Sequence, residues 1–274
     1  MKFRRSGRLV DMTNYMLHHP HALVPLTVFA EKYKSAKSSI SEDLTIIKHT
    51  FEQHGIGTLL TVPGAAGGVK FIPKVSISEA KEFVEELCEQ MAKPERLLPG
   101  GYLYLTDILG NPGTVNHIGR LFASVFAERK IDVVMTVATK GIPLAYAVAS
   151  QLDVPVVIVR KDSKVTEGST VSINYVSGSS KRIQTMLLAK RSLREGSNVL
   201  IIDDFMKAGG TINGMISLLE EFRANVAGIG VLVESEGVEE RLVDEYISLL
   251  KLTDVDVRER QIHVKEGTYF NFYK

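Results

Sequence analysis

The sequence predicts an α/β protein in two parts: an N-terminal winged helix-turn-helix, and a larger body with a central parallel sheet flanked by helices. Three observations carry this. Three helical stripes and a glycine-tipped hairpin follow one another within residues 1–74. Charge divides at the same place, since residues 1–74 carry ten Lys or Arg and five Asp or Glu, a net +5, whereas residues 75–274 carry 23 and 27, a net −4. Beyond Pro99, short β-branched runs alternate with helical stretches, the pattern of a parallel sheet buried on both faces.

In the first part, Leu9, Met12 and Met16 follow helical spacing over Arg5–His18, and His19-Pro20 closes the run. "VPLTVFAEKYK" places Leu26, Phe29, Ala30 and Tyr33 on one face of a second helix, with Pro25 tolerated at its first turn. Ser35-Ala36 leaves room only for a tight turn. A third helix follows, with Ser39 and Glu42 at capping-box spacing and Ile40, Leu44, Ile47 and Phe51 as its buried stripe. "TLLTV" and "VKFIP" flank "PGAAGG" as a wing. This order is that of a helix-turn-helix, and the charges fall where a DNA reader needs them. Lys34, Lys37, Ser38, Ser39 and Ser41 cluster at the start of the third helix, Arg4, Arg5 and Arg8 form a basic arm, and Lys70 lies on the wing. Double-stranded DNA is the expected partner of residues 1–74.

A domain boundary is expected near residue 74. Ala80, Phe83, Leu87 and Met91 mark a new helix, with Ser76 or Ser78 as its cap and Pro94 as its stop. The body then reads as strands at 132–138, 154–160, 198–204 and 226–235, with helices between the first two and from about Gly210 to Phe222. "RLVDEYISLLKL" (241–252) is an amphipathic stretch that either completes the body or makes a dimer contact.

Composition excludes some classes. A chain of 274 residues with 45% hydrophobic and 24% charged residues builds ordinary globular cores. No apolar run approaches the roughly 18 residues of a membrane helix, and no secretion signal is present, so a cytoplasmic protein without membrane contact is expected. The single cysteine, Cys88, lies in an apolar helical pattern and reads as inert.

The chemistry concentrates in "VLIIDDFMKAGGT" (199–211). A parallel strand ends in Asp203 and Asp204, and ligands of open α/β sheets bind at such strand ends. Two adjacent carboxylates need compensation by hydroxyl donors or a cation. A sugar diol supplies the first and Mg²⁺ the second. Phe205 and Met206 lead on to Lys207-Ala208-Gly209-Gly210-Thr211, a glycine turn at a helix N-terminus that suits phosphate. Diol beside phosphate is the pattern of a 5-phosphoribosyl group.

These residues resemble the signature of type I phosphoribosyltransferases. The resemblance implies that fold for the body, with the acidic pair on ribose hydroxyls and residues 207–211 on the 5-phosphate of 5-phosphoribosyl 1-pyrophosphate (PRPP). "VATKGIPLA" (137–145) is similar to the family's pyrophosphate loop, which implies that role for Thr139, Lys140 and Gly141. The polar stretch 161–184 sits where the family keeps a flexible lid. "LTDILGNP" (105–112) is similar to xanthine-specific members, which places Asn111 near a base. Tyr102 is a residue that either covers the ligand or packs in the core. The chain departs from the family at Lys207-Ala208, where the enzymes carry Ala-Thr, so phosphate binding is expected and efficient transfer is not.

Along essentially its whole length the chain resembles the purine operon repressor family of Gram-positive bacteria. This implies a homodimer on inverted-repeat operators of purine genes, an effector domain at 75–274 that senses PRPP together with Mg²⁺, and no catalytic or metal-ligand residues. Purine nucleotides present the same 5-phosphate and ribose and are candidate competitors. An active purine phosphoribosyltransferase carrying a DNA-binding domain, and an RNA-binding antiterminator, are the rival readings.

Overall fold

The computed structural model describes residues 3–64, 66–162, 168–176, 182–237 and 240–273. They form two compact units, one built on residues 1–77 together with 151–153 and the other on 78–150 and 154–274.

The first unit contains α1 (Arg5–His18), β1 (Leu23–Val24), α2 (Leu26–Tyr33), α3 (Lys37–Gln53), β2 (Gly57–Val62) and β3 (Gly68–Pro73). Its core joins Met12 and Met16 of α1, Phe29 and Tyr33 of α2, Ile40, Leu44, Ile47 and Phe51 of α3, and Leu59, Val69 and Phe71 of the wing. Apolar side chains three or four residues apart share a helix face, and here each helix turns that face inward. β3 pairs antiparallel with both β1 and β2. A Cβ at Gly68 would stand 2.3 Å from the Val24 carbonyl oxygen, so glycine lets β1 lie against the wing. The wing-tip residue 65 lies outside the described residues.

The capping box at Ser39 and Glu42 does not form. α3 begins at Lys37, its N-cap is Ala36 without a side-chain cap, and Ser39 is the third residue of the helix. The reason lies in the preceding turn. Lys34 adopts the left-handed conformation (φ 50°, ψ 48°) and closes α2, so extended Ala36 is already free to accept the first helical bond, from Ile40 N–H at 3.2 Å.

The second unit runs through α4 (Ile77–Met91), β4 (Leu97–Leu98), β5 (Tyr102–Leu103), α5 (Thr106–Leu109), α6 (Pro112–Phe126), β6 (Val133–Val137), α7 (Ile142–Leu152) and β7 (Val156–Val159). It continues with β8 (Thr170–Val176), β9 (Ile183–Ala189), β10 (Asn198–Met206), α8 (Gly210–Glu221), β11 (Asn225–Ser235), β12 (Ile247–Asp256) and β13 (Gln261–Glu266). Six strands form one sheet in the order β13-β12-β11-β10-β6-β7, parallel except for β13.

Helices cover both faces of this sheet, and β11 shows why. Gly228 and Gly230 point one way, where a Cβ would meet Phe126 and Phe122 of α6 at 2.5 and 2.9 Å. Ile229 and Val231 point the other way, into a core with Ile212, Met215 and Leu218 of α8. On α4 the fully buried positions are Ala80, Val84, Leu87 and Met91, while Phe83, expected among them, is half-buried and stacks on His117 with ring centroids 3.9 Å apart. The stretch 241–252 divides between an irregular segment and β12, which joins the sheet. The lid-like stretch contains a strand of its own, because β8 pairs antiparallel with β9. Residues 163–167 and 177–181 of that stretch lie outside the described residues.

Candidate functional site

β10 runs two residues further than the sequence pattern suggests. It stays paired with β11 through Met206, which faces Glu234, so the acidic pair stands inside the strand and not at its last residues. Successive strand residues point to opposite faces, and the two carboxylates differ accordingly. Asp203 is 3% exposed, whereas Asp204 is half-buried. Asp203 Oδ1 accepts the Asp204 N–H at 3.0 Å. Burial, and then the neighbouring Asp204 charge, raise the Asp203 carboxyl well above the usual carboxylate range, with Lys161 opposing. Burial also raises Asp204, and Lys140 opposes. The pair thus has unmet demand for positive charge or hydroxyl donors.

The turn that follows is built for close approach. Gly209 is the N-cap of α8 in the left-handed conformation (φ 85°, ψ 6°), and Gly210 is the first helical residue. First-turn amides of a helix have no intrahelical acceptor and face the positive end of its dipole. Lys207 is exposed above them. Thr211 is half-buried, and the Tyr175 hydroxyl on β8 donates to Gln184 Oε1 at 2.8 Å.

The loop after β6 meets the acidic pair. Gly141 is buried, and a Cβ there would lie 2.2 Å from Thr136 Oγ1 and 3.2 Å from Asp203 Oδ1. Thr136 is fully buried on β6, and its hydroxyl has no hydrogen-bond partner among the described residues. Thr139 and Lys140 are exposed, and the Ala138–Thr139 peptide is cis.

Lys140 and residues 203–212 border a cavity of about 780 Å³ with the β4–β5 turn, the end of β11 and part of β12, whereas Thr139 and Gly141 are not part of its wall. Tyr102 belongs to that wall and is 66% exposed, so it is not a core residue. Asn111 does not line the cavity, because its side chain caps α6 by accepting the Thr114 N–H at 3.0 Å. The sequence reading missed Gly100, Gly101, Leu103, Leu105, Ile212, Ser235–Gly237 and Leu252–Val255 of the wall, and the Lys161 charge near Asp203. The Gly100-Gly101 pair, at φ 84° and 76°, carried a usable turn signal. The β12 residues carried none.

In the first unit, Lys34, Lys37, Ser38 and Ser41 are exposed where α3 begins, with Ser39 half-buried among them. Arg4 is exposed at the N-cap of α1, and Lys70 is half-buried on β3. Arg8 has a different task from the expected phosphate contact. It donates to the buried Asp43 at 3.0 and 2.8 Å, and its side chain is 13% exposed. Arg5 also donates to Asp43, at 2.9 Å, yet keeps 56% exposure.

Comparison with known proteins matches residues 4–73 to a family described as bacterial purine repressor, N-terminal, and residues 105–266 to the phosphoribosyl transferase domain family. The chain is 75% identical over 274 residues to the purine biosynthesis transcriptional repressor PurR of Bacillus subtilis, covering 100% of this chain and 96% of that one. It is 50% identical over 268 residues to the purine biosynthesis transcriptional activator PurR of Lactococcus lactis, covering 98% and 99%. Among solved structures, adenine phosphoribosyltransferase from Thermoanaerobacter pseudethanolicus superposes with a TM-score of 0.54 at 25% identity, over 61% of this chain and 99% of that one.

Proposed function

The chain belongs to the PurR family of bacterial purine biosynthesis transcriptional regulators, with a winged-helix unit and a phosphoribosyltransferase-type unit, and from that premise we propose that it is a repressor released from operator DNA by PRPP. The observation that carries the effector assignment is the delivery of Asp203 and Asp204 by β10 to a cavity closed by the left-handed Gly209 turn at the start of α8.

The donor set fits this ligand. Asp204, with the more exposed carboxylate, takes ribose hydroxyls, and the amides and cation of Lys207–Thr211 take the 5-phosphate. Lys140, flanked by Thr139 and Gly141, takes the pyrophosphate. Among the described residues no cluster of three or more His, Cys, Asp or Glu is arranged to hold a metal. Mg²⁺ would enter with the diphosphate, since it binds through one or two carboxylates plus phosphate oxygens. Purine nucleotides, which share the phosphate and ribose, compete for the same turn.

On DNA, the start of α3 enters the major groove, while Arg4, Arg5, Lys34, Lys37 and Lys70 meet phosphates. Two copies read the two halves of an inverted repeat. PRPP releases DNA only as far as it prefers the free protein, and a hundredfold drop in operator affinity corresponds to about 2.7 kcal/mol of coupling. Lys207-Ala208 in place of the enzymes' Ala-Thr supports sensing rather than turnover.

The test is the double substitution Asp203→Ala with Asp204→Ala. Operator binding in a gel-shift titration should stay at the wild-type level and lose its response to PRPP; release at the wild-type PRPP concentration would sink the assignment. Incubation with labelled PRPP and each purine base tests the absence of catalysis, because nucleotide formation at an enzymatic rate would establish the transferase reading instead.

A further inference from the structure

Behind the phosphate turn lies a charged cluster. Glu234, near the end of β11, is 1% exposed. Its Oε2 accepts from Arg241 Nη1 at 2.8 Å and from the Tyr246 hydroxyl at 2.5 Å, and its Oε1 accepts from Ser248 Oγ at 2.8 Å. Lys251 Nζ stands 3.7 Å away. Arg241 also bonds the Tyr246 oxygen, places its guanidinium 5.3 Å from the Tyr246 ring centroid, and donates through Nη2 to the Ser235 carbonyl at 2.8 Å.

Neither Glu234 nor Arg241 lines the cavity. A buried ion pair is weak evidence for stability, because desolvation offsets much of its attraction, so such a pair is better understood by the geometry it imposes. What it imposes here is the course of the next two residues. The Leu242 N–H donates to the Ala208 carbonyl at 2.9 Å. Val243 is 5% exposed and packs in the core with Met206, Ile212 and Met215. A Cβ on Gly209 would come within 3.0 Å of Val243 Cγ2. Ala208 is thus held from behind by a hydrogen bond and Gly209 by a packed side chain, both on residues that follow Arg241 directly.

We propose that Arg241, anchored on Glu234, is a positioning residue for the effector's 5-phosphate: it sets the height of the Ala208–Gly209 turn through Leu242 and Val243. This rests on the reading of residues 203–211 as the phosphoribosyl site. The pyrophosphate loop at Thr139–Gly141 has no bond to this cluster, so the two ends of the ligand respond differently to its loss.

The experiment uses the full chain with Mg²⁺ and two separate probes, ribose 5-phosphate and inorganic pyrophosphate, in calorimetric titrations. The double variant Glu234→Gln with Arg241→Met removes both charges together and avoids stranding either one. It should weaken ribose 5-phosphate binding about tenfold while pyrophosphate binding stays within about twofold of wild type. Equal affinity of variant and wild type for ribose 5-phosphate would overturn the proposal, as would an equal loss for both probes. If the double variant does not fold, Val243→Ala carries the same test, since it removes support under Gly209 and leaves the charges in place; unchanged ribose 5-phosphate affinity there would also overturn it. Failure of wild type to bind either probe would overturn the phosphoribosyl reading itself, and the proposal with it.

Discussion

Arg8 directs two hydrogen bonds, of 3.0 and 2.8 Å, to a single carboxylate oxygen of Asp43, tying α1 to α3 from inside the winged unit. Asp43 is fully buried, and Arg5 satisfies its other oxygen at 2.9 Å. Removing one partner of a buried pair leaves an uncompensated charge, at a cost of about 3–5 kcal/mol. Arg5 remains as a partial partner, so Arg8→Ala should destabilise the winged unit by about 2–3 kcal/mol in urea unfolding. Lys37→Ala should leave the unfolding midpoint unchanged and lower the salt slope of operator binding by about 1. A variant at Arg8 that keeps full stability and loses salt dependence would mean that Arg8 touches DNA after all.

Gly141→Ala should disable the effector site from within. The added methyl would sit 2.2 Å from Thr136 Oγ1 on a fully buried side chain, so Thr136 or the loop must shift. Overpacking of this kind costs about 1–3 kcal/mol and displaces the neighbouring Asp203. PRPP affinity should fall at least tenfold by calorimetry, with apo operator affinity kept within a factor of about two. Wild-type PRPP affinity in this variant would show that the loop and the acidic pair act independently.

Much of this was legible locally. The stripes of α1, α2 and α3 are amphipathic patterns that need no tertiary information, and residues 199–211 carry their own strand, turn and helix start. What was not legible depends on partners distant in the chain. The charge of Arg8 is visible in the sequence, but its bond to Asp43, 35 residues away, is not. Asn111 is a polar residue before a proline, and only the formed helix shows that it caps α6. Ser39 and Glu42 have capping spacing, yet the left-handed Lys34 shifts the start of α3 ahead of them. The β12 side of the cavity depends on non-local strand pairing, which the amphipathic pattern of 241–252 does not encode.

Cys88 should be chemically quiet, as its helical pattern suggests. Burial, reinforced by Glu266 and Glu85, pushes its thiol up to about 11. The thiolate is the reactive form, and its fraction at pH 7 is then on the order of 10⁻⁴, roughly a hundredfold below that of a free cysteine. Ellman's reagent should label the native chain about a hundredfold more slowly than the urea-unfolded chain. Comparable rates in the two states would contradict the burial argument.

His21 should make the winged unit acid-sensitive. Its backbone N–H donates to the Phe71 carbonyl at 2.8 Å, its backbone is left-handed at φ 60°, and its Nε2 has no hydrogen-bond partner among the described residues. Burial, and then the charge of Lys70, lower its imidazole from 6.5 to about 4. The unfolded chain therefore binds a proton between these values that the folded chain refuses, so this contribution is complete above about pH 6.5 and is lost as the pH falls toward 4. Between pH 6.5 and 5, where most carboxylates stay ionised, the loss should be about 1 kcal/mol once solvent screening is allowed for. His21→Asn tolerates the left-handed backbone and carries no titrating group in this range. Its unfolding free energy should be flatter across this window than that of wild type, and parallel slopes for the two proteins would remove His21 as the source.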